Sequence, residues 1–337
     1  MKAAVYEGSH EITVKDVPEP DVGSTEVLVK PKYVGICGTD LSAWEYGMYE
    51  PGLIMGHEFS GEIVDIGKDV TSWQIGDRIV PNSLLPCGKC SFCKAQRFSI
   101  CDDMQMVGIT MNGGLAELVA LPQEMLHRLP KAIDYKKGAL VEPLSIALHG
   151  FNRIDFKRGN SVLILGTGPI GVLSLYFAKL LGASAIYASE IRPARLEMAR
   201  RAGATAAIDP SKESLPLRIE RLTSGVGVDV VVECTGAPGP SSEAFQIVKR
   251  GGTILVLGIS EDPVEVDFMR GVLNELNVIF SYLGYAEFPE AIRLIAEDMI
   301  DPTPLVTRVI SLNHVVENGF EALHSPDNQD VKVLVKI

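Results

Sequence analysis

The stretch Val162-Leu-Ile-Leu-Gly-Thr-Gly-Pro-Ile-Gly171 leaves the chain around it few choices. Four consecutive apolar residues bounded by glycine read as a strand buried on both faces, and Pro169 stands where the first turn of a helix tolerates a missing N–H. Gly166 permits the tight turn, Gly168 lets backbone approach a pyrophosphate, and Gly171 lets helix and strand pack closely. The helix N-terminus adds unpaired N–H groups and the positive end of a dipole. A second strand is expected at 184–189, and Glu190 stands twenty-four residues beyond Gly166. A carboxylate there can accept both ribose hydroxyls of NAD and repels the 2′-phosphate of NADP. The glycine pattern alone also suits a merely structural turn. Its surroundings point to NAD.

At 337 residues the chain exceeds one comfortable core and suggests two domains. A net charge of −12 disfavours a nucleic-acid or anionic-membrane partner. The opening Met-Lys-Ala-Ala-Val-Tyr reads as a strand and lacks the marks of a signal peptide. Residues 162–178 carry no charge, but glycines and a proline near their start fit a buried strand and helix better than a span of about 20 residues. The expectation is a cytoplasmic protein without a membrane segment.

Residues 1–148 alternate short β-rich runs with Gly and Pro, with strands expected at 3–7, 12–17, 27–34, 60–66, 77–81 and 115–121. Many short strands without long helices suggest a partly closed β-barrel. Over 149–288 strands at 162–165, 184–189, 205–209, 228–234, 253–258 and 277–283 alternate with helices such as 195–202 and 243–249. That texture predicts a doubly wound parallel sheet. Residues 289–337 read as a helix at 289–299, a strand at 304–311, a helix at 313–324 and a strand at 331–336 that returns to the first domain's sheet. The ligand cleft is then expected between the domains, at the carboxyl ends of the parallel strands.

Four of the six cysteines, Cys87, Cys90, Cys93 and Cys101, fall within fifteen residues, inside a loop at 82–102. Thiolates so close would repel unless a cation held them, and four sulfurs suit a closed, structural zinc. A redox CxxC pair and an iron–sulfur cluster are the alternatives; a nucleic-acid module would want a basic surround that is missing. A second set is spread out. Cys37 lies in Gly35-Ile-Cys-Gly-Thr39-Asp40, His57 and Glu58 in Gly56-His-Glu-Phe-Ser-Gly61, and Glu142 in Val141-Glu-Pro-Leu144. A thiolate, an imidazole and one or two carboxylates form the mixed ligand set of a catalytic zinc, although each residue alone also has an ordinary packing or surface reading.

Together these residues resemble the zinc-containing medium-chain dehydrogenase/reductase (alcohol dehydrogenase) family over the whole chain. Gly56 to Gly61 is similar to its zinc signature, the four cysteines to its structural zinc lobe, and Gly166 to Gly171 with Glu190 to its NAD fingerprint. The resemblance implies a GroES-like β-barrel catalytic domain plus a Rossmann domain, and two Zn2+ ions and one NAD per chain. Within the family, Val141 to Leu144, Gly258-Ile259 and the tail look most like the 2,3-butanediol, threonine and sorbitol dehydrogenases. By that resemblance Cys37, His57 and Glu58 bind catalytic zinc, with Glu142 as fourth ligand or holding the zinc-bound water. Thr39 relays the alcohol proton, and Asp40 orients His57. Ile170, Arg195, Leu257, Gly258 and Ile259 match cofactor-contacting positions. Ser281, Tyr282 and Leu283 match a strand that touches the nicotinamide region and pairs sheets across a dimer, and a homodimer or homotetramer is expected.

Two departures bear on substrate. Ser42 stands where many relatives place a proton-relaying His, and Ala43 and Leu283 replace a Tyr and an Arg typical of sorbitol dehydrogenases. A long polyol thus loses two partners, and Trp44, Tyr46 and Tyr49 could line a smaller, more apolar pocket, or simply pack. The expected activity is hydride transfer between a small secondary alcohol or vicinal diol and NAD, with threonine or polyol oxidation as the alternatives. A non-catalytic zinc- and nucleotide-binding protein and a zinc-independent quinone reductase are the remaining rivals.

Overall fold

In the computed structural model, which describes residues 1–337, the chain folds as two units: 1–142 with 285–337, and 143–284. The first is built on a seven-stranded sheet. Its order is Val306–Ser311, Lys332–Lys336, Glu26–Gly35, Glu58–Ile66, Arg78–Pro81 and Leu126–Arg128, with Val119–Pro122 also pairing with Glu26–Gly35. Val27, Val29 and Pro31 are buried while Leu28 and Lys30 are not, the alternation that fills one face of a pleat, and an irregularity between Pro31 and Tyr33 returns Val34 to the core. A hairpin of Lys2–Gly8 and Glu11–Asp16 adds Ala3, Ala4, Val5 and Tyr6 to the same core.

Three local features differ from expectation. The strand expected at 115–121 is shorter, because Leu115 donates to the Met55 carbonyl while its own carbonyl accepts from Ala4. It threads between two segments instead of lengthening one ladder. The helix expected at 313–324 is a 3-10 turn, Leu312–His314, a π-turn, Val316–Phe320, and an α-turn, Glu321–His324. Gly319, in the wide turn, lies where a β-carbon would come within 2.7 Å of Ile36 Cδ1. An unforeseen helix, Gly38–Tyr46, starts where the Cys37 N–H donates to Asp40 Oδ2 at 3.1 Å and stops at Gly47, whose left-handed backbone closes it.

The second unit is a six-stranded parallel sheet in the order Ala206–Ile208, Ala185–Ser189, Ser161–Leu165, Val228–Glu233, Val248–Val256, Asn277–Phe280. Its order reverses beside Ser161–Leu165, the strand that feeds the glycine turn, and ligands of open parallel sheets bind at such a reversal. Helices Pro169–Leu180, Pro193–Ala202, Leu215–Leu222 and Pro238–Ile247 each carry a proline in their first turn. The uncharged run 162–178 is thus a buried strand and helix, and no helix is long and apolar enough to cross a membrane. The helix expected at 243–249 ends at Ile247, since Val248 already pairs with Val228. The strand expected at 277–283 ends at Phe280, so Ser281, Tyr282 and Leu283 lie beyond it. Leu283 has a left-handed backbone (φ 55°), and Gly284 passes so close to Ser145 that a β-carbon would sit 2.7 Å from its carbonyl oxygen.

Candidate active site

Glu26–Gly35 is flanked by Glu58–Ile66 on one side and Lys332–Lys336 on the other, with Gly35 opposite both Glu58 and Leu334. Glu58 reaches across this central strand. A β-carbon at residue 35 would lie 2.1 Å from Glu58 Oε2, so only glycine leaves the carboxylate its path. On the far side Lys332 Nζ donates to Glu58 Oε2 at 2.6 Å and Oε1 at 2.8 Å, and to the Ile36 carbonyl at 3.1 Å. Both side chains of the pair are only 2% exposed. Burial alone would lower the Lys332 pKa, but Glu58, Cys37 and Glu142 outweigh it and raise it.

Two residues past the same strand comes Cys37, and directly before Glu58 comes His57. One donor atom from each of Cys37, His57 and Glu58 lies within 4.8 Å of the others. Asp40, wholly buried, places Oδ1 3.5 Å from His57 Nδ1. Burial disfavours a charged imidazole, yet Asp40 and Cys37 hold the His57 pKa well above the ordinary histidine range. The sulfur, nitrogen and oxygen donors gathered here are those of zinc. The set fits the metal. Glu142 stands outside the three, takes a hydrogen bond from Ser83 Oγ at 3.2 Å, and has its pKa pushed up to about 7 by burial, with Glu58 adding to the rise. Thr39 lies half-buried in the first turn of the Gly38–Tyr46 helix.

The four-cysteine loop gathers differently. Its sulfurs lie within 4.8 Å of one another, with Cys87 Sγ and Cys93 Sγ 4.0 Å apart and Cys90 Sγ and Cys101 Sγ 3.9 Å apart. A disulfide needs about 2.05 Å. A tetrahedron with metal–sulfur bonds of about 2.3 Å has edges of about 3.8 Å, so this spacing fits zinc. Main-chain N–H groups already point at the sulfurs: Cys87 N donates to Cys101 Sγ and Cys93 N to Cys90 Sγ. Hydrogen bonds from the Asp102 and Cys93 backbone pull the Cys90 pKa down to about 6.

In the parallel-sheet unit, Gly166 takes φ 81° directly after its strand, and a β-carbon on Gly171 would lie 1.9 Å from the Gly166 carbonyl oxygen. Gly168 precedes the first residue of the Pro169–Leu180 helix, which carries Ile170. Glu190 is buried, and its carboxylate accepts from Thr167 N (3.0 Å), Ile191 N (2.8 Å) and Arg192 N (2.9 Å). Arg195 joins this corner: Thr167 Oγ1 donates to its carbonyl at 3.0 Å, and its Nη1 lies 3.7 Å from where a Gly168 β-carbon would be. Leu257, Gly258 and Ile259 follow the Val248–Val256 strand on the same edge of the sheet.

Sequence reasoning missed Lys332, which looks like any lysine of a terminal strand until pairing sets it beside Glu58. Of the two readings of the aromatic residues, packing holds for Trp44 and Tyr49. Trp44 is buried against His10, Phe320 and His324, Tyr49 packs on Tyr6, and Tyr46 is exposed. Ala43 is wholly buried, and its carbonyl accepts from the Tyr6 hydroxyl.

Comparison with known proteins matches residues 23–131 to the alcohol dehydrogenase GroES-like domain and residues 169–297 to the zinc-binding dehydrogenase family. Sorbitol dehydrogenase of Bacillus subtilis (strain 168) is 33% identical over 99% of this chain and 97% of its own length. The crystal structure of 2R,3R-butanediol dehydrogenase from Bacillus subtilis superposes with a TM-score of 0.92 at 32% identity, covering 100% of this chain and 99% of that one. A zinc-binding-dehydrogenase-type protein of Sinorhizobium meliloti 1021, solved bound to NADP, superposes with a TM-score of 0.93 at 32% identity, with coverage of 100% and 99%.

Proposed function

Since this chain belongs to the zinc-containing medium-chain dehydrogenase/reductase family and is an oxidoreductase acting on CH–OH groups, we propose that it moves a hydride between a small secondary alcohol or vicinal diol and NAD. The observation that carries the reading is the convergence of the Cys37, His57 and Glu58 donor atoms within 4.8 Å of one another. These three residues would hold a catalytic zinc, with Glu142 beside them; Cys87, Cys90, Cys93 and Cys101 would hold a second, structural ion. When bound, zinc at the first site supplies the Lewis acidity that lets an alcohol hydroxyl ionise near neutral pH. Asp40 Oδ1, 3.5 Å from His57 Nδ1, faces the ring on that side and would leave Nε2 for the ion. Thr39, in the first turn of the Gly38–Tyr46 helix, would take the alcohol proton on Oγ1 as it gives up its own.

On the nucleotide side Gly166 makes the turn, Gly171 lets helix and strand close on it, Gly168 leaves room for the pyrophosphate, and Glu190 accepts the ribose hydroxyls. Its carboxylate favours NAD over NADP by repelling a 2′-phosphate. Ala43 and Leu283, apolar where sorbitol-oxidising relatives carry polar groups, support a small substrate such as 2,3-butanediol. A polyol is the second reading, favoured by the 33% identity to a sorbitol dehydrogenase. We also assign a homodimer. The Asn277–Phe280 strand is the sheet's edge, and Phe268, Met269, Val272, Leu273 and Phe280 beside it are all at least 68% exposed, an apolar surface that a second copy would cover. The test is a panel of vicinal diols, threonine and polyols assayed with NAD and NADP on protein whose zinc has been counted. Fastest NADH formation with 2,3-butanediol is expected; a polyol preferred over every diol would move the assignment to the second reading.

A further inference from the structure

Glu233 ends the Val228–Glu233 strand in the middle of the parallel sheet and is 1% exposed. Its carboxylate takes N–H and O–H donors of its own turn. The carboxylate accepts from Thr235 N at 2.7 Å, from Gly236 N at 3.2 Å to each oxygen, and from the Thr235 hydroxyl. The main-chain carbonyl of Glu233 meanwhile accepts from Leu257 N (2.8 Å) and Gly258 N (3.0 Å). One residue therefore grips the turn after its own strand and the turn after the next strand.

The grip extends to the glycine turn. Thr235, held through two of its atoms, places its methyl 2.7 Å from where a Gly166 β-carbon would be. Gly236 passes so near Ile259 that a β-carbon would lie 2.2 Å from its carbonyl oxygen. One on Gly258 would lie 2.4 Å from Glu233 Oε2. Gly166, Leu257, Gly258 and Ile259 are the positions assigned above to the cofactor, and each touches Glu233 or the turn it folds.

We propose that Glu233 is a positioning residue for the dinucleotide: it sets the relative placement of the three loops on which an adenine–nicotinamide dinucleotide rests. The proposal builds on the nucleotide reading of the previous subsection. A carboxylate is what the position requires, since the atoms around it are donors and an acceptor-only group can take them all. Replacing Oε2 with an NH2 sets a donor against Gly236 N while Oε1 keeps its bonds to Thr235, so the turn is loosened at Gly236, the residue that passes against Ile259. Cys37, His57 and Glu58 belong to the other unit.

NADH affinity by fluorescence titration, initial rates and Tm are to be measured on wild type, Glu233→Gln and Thr235→Val. Thr235→Val keeps the methyl against Gly166 and removes only the hydroxyl, so it carries the test if Glu233→Gln does not fold. Glu233→Gln is expected to raise Kd and KM for the dinucleotide about tenfold or more, with kcat at saturating dinucleotide within about threefold of wild type. Thr235→Val is expected to raise them about threefold. Wild-type dinucleotide affinity in either folded variant overturns the proposal, including where Tm has fallen, since a merely structural residue would lower Tm alone. A wild-type chain that binds neither NADH nor NADPH overturns the nucleotide reading itself, a separate result.

Discussion

The four-cysteine lobe and the Cys37, His57 and Glu58 cluster both bring their donor atoms within 4.8 Å, yet they are assembled in opposite ways. The lobe draws all its ligands from fifteen consecutive residues, and short backbone turns aim N–H groups at the sulfurs. The second cluster depends on two strands and a helix start meeting, on Gly35 leaving a path, and on a lysine 274 residues away from Glu58. Their chemistry differs accordingly. Four sulfurs close a tetrahedron and leave nothing for a substrate, whereas three mixed ligands leave a position open. A local cluster can be damaged without disturbing the chemistry; a tertiary one ties chemistry to the integrity of the fold.

The largest effect expected from this contrast is on turnover. Cys37→Ala should lower kcat by about a thousandfold or more while NADH affinity, measured by fluorescence, stays near wild type. Comparable turnover in the variant would erase the distinction between the two sites. Next comes the buried ion pair: Lys332→Met leaves Glu58 buried without its ammonium, which should cost about 3–5 kcal/mol in zinc-free protein by denaturant unfolding. Zinc-loaded protein should lose less, because Glu58 then keeps a cation. Equal losses in both forms would mean that Glu58 does not face the metal.

Cys93→Ser tests the other side. It should remove one zinc per chain and lower Tm by roughly 5 °C or more, with KM for alcohol changed less than twofold. A melting curve and zinc content like those of wild type would show the lobe to be something other than a metal site. The smallest effect concerns the nucleotide: Glu190→Ala should cut the preference for NAD over NADP by about tenfold in kcat/KM. A wild-type preference for NADP would reverse that assignment.

How much of this was legible beforehand follows the same divide. The glycine turn was readable because its strand, turn and helix are contiguous, and the 1.9 Å clearance at Gly171 is the close packing that the third glycine implied. The cysteine lobe was readable for the same reason. Lys332 and Glu233 were not. Each looks unremarkable in its own stretch, and its meaning arises only when strand pairing supplies neighbours far away in sequence. Local patterning also misjudged ends: a β-rich run at 277–283 continued on paper through Leu283, whose backbone turns left-handed. Trp44 and Tyr49 stayed open between pocket and packing because a sequence does not say which side chains, such as Phe320 and Tyr6, come to lie against them.

The most direct measurement is a chelator titration of the wild-type protein in which zinc per chain and NADH formation from 2,3-butanediol are followed together. Two ions per chain are expected at the outset, with activity disappearing as one leaves, the second ion still bound, and activity returning when zinc is restored. Undiminished NADH formation after the first ion has gone, or from protein stripped of both, would contradict the assignment of Cys37, His57 and Glu58 to the chemistry.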